Sequence, residues 1–231
     1  MRALRILLIT AVILGGLFTI GDRLAVNYAE SEAAERIAAN QGLAAGSADV
    51  SIKGFPFLTQ VMGKELDQVD VTLTGVEASA GGRKVRVTEM DAALKNVRLK
   101  NNFSTAVAAS ASGTARISYA DLAKASGEDV TLGYGGNGKV KVTGSVELPV
   151  LGSVTRSVLS SVSVVGGETI RVRADKVPGE GIPGLEDRVR ERTDFDRQVG
   201  GLPAGLKLTK VEATPEGLTV TVTGTDVVLA G

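Results

Sequence analysis

Residues 133–148 read Gly-Tyr-Gly-Gly-Asn-Gly-Lys-Val-Lys-Val-Thr-Gly-Ser-Val-Glu-Leu, and this stretch decides the fold class. From Lys139 onward, apolar residues alternate with charged or hydroxyl residues, which is typical of a strand with one apolar and one wet face. Such strands favour an antiparallel sheet, because parallel strands are apolar on both faces. The glycines before Lys139 match the spacing of a dinucleotide-binding loop, but that loop must lead into a helix. Since a strand follows instead, we predict a hairpin turn.

The same alternation recurs on both sides of this stretch, and turn residues separate its copies. It appears at residues 69–74, 84–87, 96–100, 170–173 and 218–223. The segment Ser153–Val165 fits either period, and its β-branched residues favour a strand. Short helices are predicted at Tyr119–Ala125 and Gly184–Arg192. The sequence therefore predicts an α+β fold with about eight to ten mostly antiparallel strands in one domain, residues 22–231.

The N-terminal segment, residues 1–21, has the form of an export signal. Arg2 and Arg5 precede the apolar run Ile6–Ile20. At about 15 residues, the run is shorter than the roughly 20 that span a bilayer comfortably, although Ala3–Gly21 comes close, and the cleavage site is weak. An uncleaved signal anchor and a cleaved signal peptide both stay open. A buried core helix is disfavoured, because apolar residues cover every face. With the arginines held inside, we expect the remainder to lie outside the cytoplasm.

A second segment, Asp22–Gln41, has helical periodicity and ends at Gly42. A helix of this length spans about 30 Å. Its apolar positions recur on one face: Leu24, Val26, Ala29, Ala33, Ala34, Ile37 and Ala38. The sequence therefore predicts that this stripe packs against the sheet.

The composition excludes many function classes. Histidine and cysteine are absent, so the chain cannot form Ser-His-Asp or Cys-His catalytic sites, common zinc sites or disulfides. Arginines are interleaved with the acidic residues around Asp194 and Asp196, which favours a solvated face over a calcium site. Lys+Arg and Asp+Glu number 26 each, and aromatics are 3 %, so nucleic-acid binding is not expected. We expect no enzyme, no metal and no cofactor. A carboxylate-pair hydrolase stays open, without a specific signal.

The segment around residues 54–62 is the most concentrated apolar and aromatic stretch outside the N-terminus. It contains Phe55, Phe57, Leu58, Val61 and Met62. These residues could line an apolar ligand site, or fill a core corner where Pro56 ends a strand. A second candidate is a basic patch across one hairpin, formed by Arg83, Lys84, Arg86, Lys95, Arg98 and Lys100. Such a patch could attract anionic headgroups or be the ordinary outer face of a sheet.

Three passages resemble a known family. They are Ser-Ile-Lys-Gly-Phe-Pro-Phe-Leu-Thr-Gln at residues 51–60, Ile-Ser-Tyr-Ala-Asp-Leu at 117–122, and the ending from Gly201 to Val220. They are similar to the actinobacterial family first labelled DUF2993, the LmeA-like phospholipid-binding proteins. The resemblance implies a tubular-lipid-binding-like fold, in which a long helix is wrapped by a curved antiparallel sheet. It also implies an exported cell-envelope protein that supports envelope lipid or lipoglycan maturation.

Taken with this resemblance, the apolar segment leads to a specific expectation. A long helix beside a sheet with one apolar face can enclose an elongated groove for acyl chains. We expect the partners to be a membrane and a diacyl phospholipid, contacted by Phe55, Phe57, Leu58, Val61 and Met62. The alternative is a structural or interaction module that binds an envelope protein through the same groove.

Overall fold

The computed structural model describes residues 2–80, 82–126, 129–148, 152–175, 190 and 194–230. These residues form three helices and eleven strands. The helices are α1 (Arg2–Asn40), α2 (Phe57–Gly63) and α3 (Tyr119–Ser126). The strands are β1 (Ala48–Lys53), β2 (Glu65–Ala80), β3 (Arg83–Lys100), β4 (Thr105–Ile117), β5 (Val130–Tyr134), β6 (Lys139–Leu148), β7 (Gly152–Val165), β8 (Thr169–Ala174), β9 (Phe195–Gln198), β10 (Leu206–Thr214) and β11 (Gly217–Ala230).

The strands form two antiparallel sheets. One has six strands in the order β1-β2-β3-β4-β11-β10, and the other has five in the order β5-β6-β7-β8-β9. The predicted combination of a long N-terminal helix with antiparallel strands is confirmed. The strands are divided between these two sheets, a division that the sequence did not predict.

The glycine-rich stretch is a hairpin turn, as predicted. Gly136, Asn137 and Gly138 have φ angles of 82°, 51° and 71°, a left-handed conformation that suits glycine and asparagine. The Gly135 N–H donates to the Lys139 carbonyl at 2.8 Å, and β5 then pairs antiparallel with β6. The ambiguous segment is strand β7, which pairs with β6 from Lys139↔Ser161 to Leu148↔Gly152.

The chain divides into two compact units. Unit 1 takes its described residues from 1–72, 93–111 and 226–231, and unit 2 takes its own from 73–92 and 112–225. The single lipid-binding domain over residues 22–231 stays a prediction.

The core of unit 2 contains side chains from both sheets. Its buried members are Val140, Leu208, Val211, Ala213, Leu218 and Val220. Helix α3 closes one side of this core, with Tyr119 and Leu122 packed against it. The Ser118 hydroxyl accepts the Asp121 N–H at 3.1 Å and so caps the helix, while the Tyr119 hydroxyl donates to the Thr214 carbonyl at 2.7 Å. Helix α3 confirms the helix predicted at residues 119–125, whereas most of the one predicted at residues 184–192 lies outside the described residues.

In unit 1, helix α1 runs through 39 residues without interruption. The apolar run and the segment after it, treated separately in the sequence, are therefore one helix. Side chains from Ile6 to Ile20 are exposed. Among the described residues, α1 is the one helix long and apolar enough to cross a membrane by length and composition.

Beyond residue 21, one face of α1 packs against the rest of unit 1. Val26 and Ala38 are buried, as the apolar stripe predicts. The prediction for Leu24 was wrong, because its side chain is 66 % exposed. Asp22 occupies the inward position instead and is completely buried, since its carboxylate has polar partners there.

Candidate lipid-binding site

A sharp corner joins β1 to β2 in unit 1, and it contains the predicted apolar segment. Gly54 has a φ of 97°, the Phe55–Pro56 peptide bond is cis, and α2 begins at Phe57. Helix α2 ends after Gly63, where Lys64 takes a left-handed conformation with φ 56° and its N–H donates to the Val61 carbonyl at 3.0 Å. The connection between β1 and β2 therefore contains a two-turn helix.

The side chain that caps α2 comes from α1. Pro56, at the N-cap position, provides no side-chain hydrogen bond to the helix. The Asp22 Oδ1 atom accepts the Leu58 N–H at 2.8 Å, and Oδ2 lies 3.0 Å from the Arg23 guanidinium. Burial by itself would raise the pKa of Asp22, but the Leu58 and Phe57 N–H groups and Arg23 hold that pKa below its usual value. A charged carboxylate thus joins α1 to the first turn of α2.

A second carboxylate on the same face of α1 holds strand β1. The Glu30 Oε1 atom accepts the Ile52 N–H at 2.6 Å. Strand β1 lies at the edge of the six-stranded sheet, so its outer N–H groups need partners other than a neighbouring strand. Asp22 and Glu30 therefore fix β1 and α2 along one side of α1. Periodicity missed the roles of both residues, and an acid directly after a long apolar run was a signal for Asp22 only.

The structure separates the five residues predicted to contact lipid. Phe57 is buried, with 7 % of its surface exposed, and Leu58 and Val61 are half-buried. Phe55 and Met62 are 57 % and 83 % exposed. The Arg23 guanidinium lies 5.2 Å from the centroid of the Phe55 ring, within the range of a cation–π contact. The segment thus has a core side and a solvent side.

A cleft of about 780 Å³ lies between the second half of α1 and β1. Its apolar lining consists of small or branched side chains, including Ala34, Ala38, Leu43 and Val50. Glu30, Glu35 and Asp49 also line it. Three carboxylates repel a phosphate, so this cleft does not suit the anionic part of a phospholipid headgroup.

In unit 2, an apolar face extends beyond the buried core. Several hydrophobic side chains packed on that core are only partly buried: Leu132, Val142, Val162, Val164, Ile170 and Val222. Strand β7 shows the alternation clearly, since Ser163, between Val162 and Val164, points to solvent. Ser160 on the same strand is 0 % exposed, and its hydroxyl has no hydrogen-bond partner among the described residues.

The six basic residues from Arg83 to Lys100 do not form a patch across a hairpin, and their exposed side chains agree with the alternative of an ordinary outer sheet face. All six lie on the single strand β3, three near the start and three near the end. Lys84 pairs with Glu77 at 2.8 Å, and Arg98 pairs with Asp226 at 3.6 Å.

Of the two described acids in the predicted ionic segment, Asp196 lies on a solvated ionic face, whereas Asp194 is largely buried and accepts the Ala174 N–H at 2.8 Å. Asp196 accepts hydrogen bonds from both Nε and Nη2 of Arg171 and pairs with Arg173 at 3.1 Å. The Arg171 guanidinium lowers the pKa of Asp196, since it stabilises the charged carboxylate. Across the described part of the chain, no group of three or more acidic side chains is placed to hold a metal ion.

Comparison with known proteins places these features in a family. No curated protein and no solved structure gives a significant match. The LmeA-like phospholipid-binding family matches residues 20–223, which is most of the chain. The partly buried apolar face of unit 2 is compatible with binding through apolar contact. The chain belongs to the LmeA-like phospholipid-binding family.

Proposed function

We propose that the protein is exported, stays tethered to the membrane by residues 1–21, and binds diacyl phospholipid in the cell envelope. The observation that carries the proposal is the family match over residues 20–223. Lipid binding follows from that family. The export, the tether and the two acyl chains are our additions.

The tether is supported by the exposure of the first half of α1. Side chains from Ile6 to Ile20 are exposed to water in the isolated chain, although nearly all are apolar. Burying them in a bilayer would stabilise the protein by roughly 25 cal/mol per Å². Arg2 and Arg5 precede the run and fit the cytoplasmic side.

For the acyl chains, we propose the partly buried apolar face of unit 2. Val162, Val164 and Ile170 on the five-stranded sheet and Val222 on β11 pack on the core without being fully covered. Covering such a face with acyl chains stabilises the complex by roughly 0.8 kcal/mol per buried methylene and needs no charged group.

Native mass spectrometry of the full chain tests lipid binding. After extraction in mild detergent, we expect the protein to carry phospholipid with two acyl chains. Chain stripped of lipid should regain it from liposomes. The same spectrum reports the mass of the N-terminus, and a full-length chain in the membrane fraction supports the tether. A chain that carries no lipid, takes none from liposomes and retains a protein partner would refute lipid binding and favour an interaction module.

Isosteric substitutions test the site in unit 2. In the variant V162T/V164T, two hydroxyls replace methyl groups on the apolar face, and lipid binding would desolvate them. Each unpaired hydroxyl costs about 1 kcal/mol or more, so we expect lipid affinity to fall about tenfold or more. Ser163→Thr, on the wet face of the same strand, is the matched control and should bind like the wild type. Equal lipid loads in all three proteins would rule out this face.

A further inference from the structure

One end of unit 1 exposes three large apolar side chains. Phe55 and Phe103 are each 57 % exposed, and Met62 is 83 % exposed. The Leu99 N–H donates to the Lys64 carbonyl at 2.9 Å, so the end of β3 lies against the C-terminus of α2. Phe103 lies in the turn that follows β3 and is therefore at the same end of the sheet as α2. We call Phe55, Met62 and Phe103 the apolar rim.

Contacts with α1 place this rim next to the end of the apolar run. Asp22, two residues after Ile20, accepts the Leu58 N–H at 2.8 Å and so fixes the first turn of α2 at this level of α1. Glu30, two turns further along, holds Ile52 of β1. Strand β1 therefore runs back along α1 towards the apolar run, and the rim lies where that run ends.

The length of the apolar run indicates what covers the rim. Ile6–Ile20 spans about 22 Å, whereas the hydrocarbon core of a bilayer is about 30 Å thick. If the run begins at the inner boundary of the hydrocarbon, the outer boundary lies beyond Ile20. Leu24 is about 6 Å further along the helix and is 66 % exposed, an unfavourable state for a leucine in water. Because the apolar run is shorter than the hydrocarbon core, the first turns of α1 after Ile20 are drawn to that outer boundary, and α2 is drawn there with them.

We propose that the apolar rim seats unit 1 on the outer surface of the bilayer that holds residues 6–20. Phe55, Met62 and Phe103 insert at the boundary between headgroups and acyl chains, as apolar residues of interfacial segments do. Arg23, which lies over the Phe55 ring, and the exposed Lys64 and Lys100 are at the level of the lipid phosphates. The proposal rests on the membrane tether of the proposed function.

Tryptophan substitution tests whether the apolar rim inserts into the bilayer, because the chain contains no tryptophan of its own. The full-length variants F55W, M62W and F103W are reconstituted in vesicles of phosphatidylethanolamine and phosphatidylglycerol. We expect a blue-shifted emission, quenching by lipids brominated on their acyl chains, and protection from aqueous iodide. The matched control is N40W, exposed and about 30 Å beyond Ile20 on the same helix. Its emission should respond to iodide and not to brominated lipid.

Two outcomes would overturn the proposal. Rim tryptophans that are quenched by iodide in vesicles lie in water. Rim tryptophans that are quenched in vesicle-free protein carrying one brominated lipid contact lipid in a groove instead of the bilayer.

A variant that weakens the membrane contact of the rim separates this contact from the binding of individual lipids. In the F103S background, the tryptophan of M62W should be quenched less by the bilayer, while the lipid load measured by native mass spectrometry stays at the wild-type level, because Phe103 belongs to the rim but not to the residues expected to contact bound lipid. If the wild type carries no lipid but the tryptophans of the rim variants are quenched by the bilayer, the membrane contact of the rim is supported and the lipid-binding part of the proposed function is refuted. If the full-length chain is found outside the membrane fraction, both the membrane tether and the membrane contact of the rim are refuted.

Discussion

Replacing Phe57 by aspartate is expected to unfold unit 1, whereas the same substitution at Phe55 should leave the melting temperature nearly unchanged. Phe57 is 7 % exposed, in the first turn of α2. Loss of its buried ring costs about 3–5 kcal/mol, and burying a carboxylate without a partner adds to this. The total approaches the 5–15 kcal/mol by which a typical domain is stable.

Phe55→Asp is the matched control, because it places the same carboxylate two residues away on the solvent side. The main loss there is the contact between the ring and Arg23, about 0.5–1 kcal/mol at an exposed position. Thermal melting of both full-length variants in mild detergent, followed by circular dichroism, measures the difference. A Phe57→Asp variant that melts like the wild type but loses lipid would show that Phe57 lines a groove mouth instead of the core.

The sequence predicts those parts of the fold whose signal lies within the element itself. Period-two alternation is a property of a strand's own residues, so β6 is predicted. The β-branched content of residues 153–165 is also local, and it predicts β7 to within one residue of its observed start at Gly152. Helix α3 is predicted over residues 119–125, and the structure shows that its capping residue, Ser118, is also local because it directly precedes the helix. Pairing between strands distant in sequence, such as β4 with β11, has no such local signal.

The candidate site was harder to predict, because its key contacts join distant residues. Helix α2 has 7 residues, too few to show helical periodicity, and only Pro56 and Gly63 mark its ends. Its cap, Asp22, is 36 residues earlier in the chain. Without that contact, Phe55 and Phe57 look equivalent in the sequence, although one faces solvent and the other faces the core.

The division of α1 into two segments has a different cause. Hydropathy changes sharply at Gly21 and Asp22, and a change in polarity resembles a boundary between elements. The backbone, however, has no proline there, and one glycine costs a helix only about 1 kcal/mol. The helix therefore continues through the change, and the same 39-residue element that carries the apolar run also packs in unit 1.

A proline at Ala33 should disrupt this packing. Ala33 lies between Glu30, which holds Ile52, and the buried Ala38. Proline removes the hydrogen bond to the carbonyl of Ala29 and its ring collides with the preceding turn, at a cost of about 3 kcal/mol or more. We expect a marked fall in the melting temperature and faster hydrogen exchange from residue 34 to residue 40.

Ala33→Gly is the control for the proline variant, because glycine weakens the helix by about 1 kcal/mol without breaking it. The expected order of melting temperatures is wild type, then the glycine variant, then the proline variant. The cleft between α1 and β1 should lose its shape only in the proline variant, since Ala34 and Ala38 line it from the part of α1 beyond the break. If the proline variant melts like the wild type, residues 34–40 do not stabilise unit 1, and Asp22 and Glu30 alone hold α1 to β1 and α2.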